Sequence, residues 1–295
     1  MNINSLANLY FFNFIFVNEY KEGKGMKLFE PIKIGNVELK NRVIMAPMEN
    51  GMAEVGTGEV TDRIIAFFEE RAQHNIAMIM PGSIGVSPEG RGLPTQLSLF
   101  DEKQVAGHKR LVDAIHNKGS LVAAQLYHAG RQASEAITGL DPLAPSAIPC
   151  GILQNHPKEI THEQMDRIKE QFRQAARWSI EAGYDIVEVH FAHGYLLHSF
   201  MSTHTNHRTD EYGGSFENRI KYPMDVLKTV IDEVNGEVPV QIRVSVDEYV
   251  DDGISGTTFE RPGFQRMISD IEQQRINMVI TKDLSRLGRE YIQTG

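Results

Sequence analysis

Asp185-Ile-Val-Glu-Val-His190-Phe-Ala-His193-Gly194-Tyr195 is the stretch around which the chain is organised. The short run Asp185 to Val189 follows Ala182-Gly183, which stops a long helical pattern, so it reads as a buried strand with His190, His193 and Tyr195 at its C-terminal end. In an α/β barrel that end is the active face. Two histidines near a strand end are weak evidence alone, because such residues are more often structural or solvated than ligands. Tyr195 adds a third polar group at the same edge. The following loop, Asn206-His-Arg-Thr-Asp-Glu-Tyr-Gly-Gly-Ser-Phe-Glu-Asn218-Arg219, is long and polar, as functional loops tend to be. No cysteine or carboxylate completes an obvious ligand set beside the histidines, so no metal is expected.

Working outward, short apolar runs alternate with amphipathic helices from Met26 onward, the pattern of successive βα units on a parallel sheet. Strands are expected at Arg42 to Met48, Ile76 to Met80, Leu121 to Leu126, Asp185 to Val189 and Val238 to Val244. Helices are expected at Asp62 to Gln73, Lys103 to Lys118, Thr161 to about Ala182 and Glu217 to Val234. Thr161 and Gln164 have the spacing of a capping box. The chain has 295 residues, 41% of them apolar, enough to bury a sizeable core. A net charge of −9 argues against a general nucleic-acid or membrane-surface binder. The single cysteine, Cys150, makes no internal disulfide and holds no iron–sulfur cluster, which fits a reducing cytoplasm. Leu6 to Val17 is too short to span a bilayer, and residues 1–25 read as an extension outside the fold.

The strings His190-x-x-His-Gly-Tyr-Leu-Leu-His198 and Asn206-His-Arg-Thr-Asp-Glu-Tyr-Gly-Gly-Ser-x-Glu-Asn-Arg219 closely resemble the old yellow enzyme family of FMN-dependent oxidoreductases. The branch they resemble contains 2-enoate reductase and 2,4-dienoyl-CoA reductase. The resemblance implies a TIM (β/α)8 barrel, of which residues 26–249 supply about five of eight units. It places Ala46, Pro47, Met48 and Gly82 against the flavin, Gln125 at its polar edge and Arg243 near N1 and O2. The implied chemistry is a hydride relay from NADH or NADPH through FMN to an electron-poor alkene. His190 and His193 hold the substrate carbonyl, and Tyr195 protonates the α-carbon. A homo-oligomer is left open, and no membrane or nucleic-acid partner is expected.

After Asp247-Glu248-Tyr249 that resemblance stops before the strands whose loops bind the FMN phosphate. Asp252-Gly-Ile-Ser-Gly256, Arg261-Pro-Gly-Phe and Asp283-Leu-Ser-Arg286-Leu-Gly-Arg289 instead resemble part of the catalytic domain of serine recombinases. That resemblance implies phosphate-binding roles for Arg286 and Arg289. Arg243-Val244-Ser245 spells part of a recombinase nucleophile motif, but too close to Asp252, so Arg243 is assigned to the flavin and Ser245 is taken as an ordinary strand-end serine. The expected organisation is therefore a partial FMN-binding barrel joined to a recombinase-like fragment, 250–295, with an oxidoreductase activity impaired by the truncation. The alternatives are a DNA strand-exchange fragment or an inactive chimera.

Overall fold

Short apolar runs between amphipathic helices bury their surfaces most readily as a parallel sheet under helices, and the chain builds that arrangement. The computed structural model describes residues 27–245, apart from Ile152 and Gln154, together with Ser269. Phe29–Ser245 is one folding unit. It opens with an antiparallel hairpin, β1 (Ile32–Ile34) and β2 (Val37–Leu39). Leu39, with Ile32, Ile34 and Val37, packs on Ala77, Met78, Ala123 and Ile186, closing the N-terminal end of the sheet.

The main sheet comprises β3 (Ile44–Met45), β4 (Met78–Ile79), β5 (Ser83–Gly85), β6 (Leu121–Tyr127), β9 (Ile186–Phe191) and β10 (Val240–Val244), every pair parallel. Its order is β10-β9-β6-β4-β3, with β5 also on β6. The intervening helices are α1 (Asp62–Ala72), α2 (Val105–His116), α4 (His162–Glu181) and α6 (Phe216–Val234). Between β6 and α4 lie the short α3 (Glu135–Thr138) and a small parallel pair, β7 (Leu143–Ala144) and β8 (Lys158–Glu159). A short α5 (Leu196–Met201), absent from the sequence expectation, follows β9.

Each long helix forms where its apolar period and its cap agree. Helix α4 buries Met165, Ile168, Phe172, Ala175, Ala176 and Ser179, and the expected capping box is present: Thr161 accepts from Gln164 N–H while Gln164 accepts from Thr161 N–H. Helix α6 starts on a Ser215 cap and ends at Asn235, whose φ of +47° lies in the left-handed region. Phe68, Phe172 and Phe200 are fully buried, each worth about 1.5–3 kcal/mol of transfer free energy.

The strands differ more from expectation. Arg42 to Met48 contracts to Ile44–Met45, because the residues after Met45 leave the ladder for the mouth of the sheet. The expected Ile76 to Met80 strand contracts to Met78–Ile79, and after Pro81-Gly82, where proline has no N–H for a ladder and Gly82 has φ +125°, an unexpected strand, β5, begins at Ser83, a residue expected in the loop. Both β4 and β5 pair with β6. Strand β9 runs two residues further than expected, so His190 lies inside it. The 1–25 extension and the recombinase-like stretch with Arg286 and Arg289, together with an expected helix at 262–274 and strand at 278–280, fall outside the described residues, Ser269 excepted. No helix among the described residues is long and apolar enough to cross a membrane.

His108 joins α2 to the rest of the core. One ring nitrogen meets Tyr184 Oη at 2.8 Å and the other the Ser98 carbonyl at 3.0 Å. Burial pushes its pKa down to about 4, below the value near 6.5 in an unfolded chain. The unfolded state therefore binds the proton more readily. Its contribution to stability is complete above about pH 6.5 and is lost as the pH falls towards 4.

Two outcomes are expected. Thr161→Ala removes the side-chain half of the capping box and should lower stability by about 1 kcal/mol, read as a lower denaturant midpoint, whereas Thr161→Ser should retain most of it. At pH 5, unfolding of the wild-type chain should take up about one more proton than unfolding of His108→Gln, measured from the slope of unfolding free energy against pH.

Candidate active site

Parallel register aligns the polar residues of four strands into two rows. Ser83 pairs with Gln125, Gln125 with Glu188, and Glu188 with Gln241. Two residues nearer the C-terminal end, Gly85 pairs with Tyr127 and His190 with Arg243, and the same register brings Tyr127 level with His190. The Tyr127 and His190 ring centroids are 6.2 Å apart.

In the lower row the Gln125 side-chain amide donates to Glu188 Oε1 at 2.5 Å, and the Gln241 amide donates to Glu188 Oε2 at 2.8 Å. Glu188 is 6% exposed, and burial raises its pKa, opposed by these bonds and by the nearby Arg243. Sequence reasoning missed Glu188, because a single acid inside an apolar run looks like a strand residue facing solvent. Its signal lay in the run being buried on both faces. Gln125, expected at a cofactor edge, has its amide N–H committed to Glu188. The Arg243 guanidinium makes no hydrogen bond among the described residues.

In the upper row His190 is 3% exposed. Its Nδ1 accepts the Ala192 N–H at 3.1 Å, which leaves the ring proton on Nε2, 3.2 Å from His193 Nδ1. Burial, reinforced by His193 and Arg243, pushes the His190 pKa down to about 3. The ring is therefore a neutral hydrogen-bond donor at neutral pH. Tyr195 stands edge-on to His190 at 5.0 Å and to Tyr127 at 4.9 Å. Its hydroxyl has no hydrogen bond among the described residues, and burial followed by the charge of Glu49 raises its pKa.

His193 and Tyr195 are presented by a tight turn in which Tyr195 N–H bonds the Ala192 carbonyl at 3.3 Å. Both central residues have positive φ, +62° at His193 and +77° at Gly194. Three side chains hold this turn. Ser245 Oγ accepts His193 N–H at 3.1 Å, Gln132 Nε2 donates to the His193 carbonyl at 2.7 Å, and His198 Nδ1 accepts Gly194 N–H at 3.0 Å. Ser245 thus does more than end a strand, and Gln132 is a supporting residue that gave no local signal.

The remaining expected residues lie at the same end of the sheet. Met48 is 49% exposed there, with Ala46 and Pro47 half-buried before it. At Gly82 a Cβ would sit 3.3 Å from the Met48 carbonyl oxygen, so the backbone passes where a side chain would crowd it. The loop from Asn206 to Arg219 behaves differently. Arg208 is 8% exposed and binds Asp210 and the Ile160 carbonyl, while Asn206 Nδ2 donates to the Phe200 and Tyr212 carbonyls, both at 2.7 Å. These motif residues knit the loop to the scaffold. His162, Asp210 and Glu211 come close enough to hold a cation, but Asp210 is already paired with Arg208, which depresses its pKa.

Comparison with known proteins agrees with this arrangement. Residues 27–288 match the profile of the NADH:flavin oxidoreductase / NADH oxidase family, a match that runs past Tyr249. The chain is 39% identical over 228 residues to an NADH oxidase of Thermoanaerobacter brockii, covering 77% of this chain and 35% of that protein. It is 38% identical over 230 residues to an NADPH dehydrogenase of Bacillus subtilis (strain 168), covering 77% and 66%. The chain thus spans less than two thirds of either relative. The solved structure of an old yellow enzyme homologue from Zymomonas mobilis superposes with a TM-score of 0.68 at 32% identity, covering 74% of this chain and 63% of that one. The half-barrel sheet, the two polar rows at its mouth and these matches carry one conclusion: the chain belongs to the NADH:flavin oxidoreductase / NADH oxidase family, of old yellow enzyme type.

Proposed function

We propose that the chain carries the catalytic face of an FMN-dependent oxidoreductase that uses NADH or NADPH to reduce an electron-poor alkene, such as an enone, enoate or enoyl thioester. The observation that carries this reading is the Tyr195 hydroxyl, which has no hydrogen-bond partner among the described residues, beside the neutral donor His190 at the mouth of β9. The residues present fit a flavin: Met48 offers an apolar surface, Gly82 leaves room for close approach, and Arg243 is a cation without a hydrogen-bonded partner among the described residues. When bound, FMN supplies the site that accepts hydride from the nicotinamide and delivers it to the alkene.

His190 and His193 bind the carbonyl oxygen of the alkene substrate. Their donors face charge that develops on that oxygen, a preorganised arrangement worth most in a partly dry site. In the resting geometry His190 Nε2–H points to His193 Nδ1, so substrate binding exchanges that contact for one to the carbonyl. Tyr195 holds its proton at neutral pH and gives it to the α-carbon. Arg243 would stabilise negative charge on the bound cofactor. Ala46, Pro47, Met48, Gly82 and Gln125 shape the floor on which it lies. The 2-enoate and 2,4-dienoyl-CoA reductase branch is our reading of the His190–Arg219 strings. Residues 250–295 are read as a serine recombinase remnant on their three motifs.

The test is visible absorbance of the purified chain after adding FMN and removing the unbound excess. A retained yellow band that bleaches with NADH or NADPH is expected, and a colourless protein overturns the reading. In a flavin-loaded chain, Tyr195→Phe should slow alkene reduction about 100-fold or more while leaving bleaching by NADPH nearly unchanged. The His190 ring resonance should not move between pH 5 and 8, because its titration lies near pH 3. A titration near 6.5 would remove the neutral donor from the argument.

A further inference from the structure

Glu49 is an acid at the mouth of the sheet to which the proposed chemistry gives no part. It directly follows Ala46-Pro47-Met48, and as a residue it is open to the mouth. Its Oε1 nevertheless gathers three donors: Ser83 N–H at 2.9 Å, the Ser83 hydroxyl, and Gln96 Nε2 at 3.4 Å. Oε2 has no hydrogen bond among the described residues. Gln96 Nε2 also donates to Ser83 Oγ at 3.0 Å, and Gln96 Oε1 accepts from the Tyr127 hydroxyl. The Tyr127 ring then stands edge-on to Tyr195 at 4.9 Å. A hydrogen-bonded chain, Glu49 to Ser83 to Gln96 to Tyr127, thus runs from the end of β3 across β5 and β6 and finishes against the Tyr195 ring.

We propose that Glu49 is a positioning residue for Tyr195, fixing its ring through Ser83, Gln96 and Tyr127 and governing how readily the phenol gives up its proton. The proposal rests on the proton-donor role given to Tyr195 above. Facing Glu49 are Tyr127 from β6 and Tyr195 from the turn after β9. Around those two phenols lie Arg243 from β10, Arg91 beside Tyr127, and the rings of His190 and His193. No cation is bonded to Glu49 among the described residues, and desolvation of the carboxyl group itself raises its pKa, opposed by the neutral donors Ser83 and Gln96. Once ionised, Glu49 opposes a phenolate at Tyr195 and the phenol keeps its proton. When Glu49 is protonated that opposition is gone, and Tyr195 becomes the stronger acid.

The test needs no cofactor. Fluorotyrosine is placed at position 195 of the full chain, and its fluorine resonance is followed through the alkaline titration of the phenol. Glu49→Gln, which keeps the acceptor oxygen and removes the charge, is expected to lower that midpoint by on the order of one pH unit. Glu49→Asp, which keeps the charge but withdraws it by one methylene, is expected to give a smaller shift of the same sign. An unchanged or raised midpoint in Glu49→Gln overturns the proposal. If Glu49→Gln collapses the resonance to its unfolded position, the Glu49→Asp shift decides in the same way. Loss of flavin binding would sink the proposed function and leave this titration readable, so the two failures are distinct.

Discussion

The parallel pairing of β6 with β9 is the constraint on which the rest of the site depends. With Gln125 opposite Glu188, the next inward pair is Tyr127 and His190, and β10 then sets Arg243 beside His190. A slip of one residue would turn every one of these side chains to the opposite face. Glu188 resists such a slip, since its two oxygens are satisfied by the amides of Gln125 and Gln241. Moving either strand would leave at least one oxygen of a buried carboxyl without its partner, at a cost of about 1–3 kcal/mol. The same contact that holds the register therefore also aims the histidine.

Above the rows, precision comes from over-determination of a short turn. Gln132, Ser245 and His198 arrive from three separate segments, and each takes one backbone group of His193 or Gly194. The long polar loop that follows α5 contributes scaffold. Arg208 and Asn206 spend their donors on carbonyls and on Asp210, with none directed at His190 or Tyr195. A motif string can thus be specific to a family because the fold needs it, even where it lies next to residues that could do chemistry.

Much of the scaffold was legible in the sequence. The long helices announced themselves through an apolar period and through caps such as Thr161 with Gln164 and Ser215, because these are local features. Strand ends were less legible: the resumption of pairing as β5 after Pro81-Gly82 and the extension of β9 through Phe191 depend on what β6 offers as a partner. In the site, His190, His193, Tyr195, Gly82 and Arg243 do converge on one end of the sheet. Glu49, Glu188, Gln96, Ser83 and Gln132 did not stand out, since each acquires its part only from a residue distant in the chain. Glu49 and Ser83 are 34 positions apart, and Gln132 and His193 are 61.

The φ of +62° at His193 has a consequence for selection. A non-glycine residue in that region carries roughly 1–2 kcal/mol of backbone strain, which glycine would not. His193→Gly would keep the turn and relieve the strain while deleting an imidazole from the mouth. With the role proposed for His193, thermal robustness and chemical competence thus pull in opposite directions at this position. A screen that rewarded heat resistance alone would favour variants that erase the site, and a screen for turnover would keep a chain that melts slightly early.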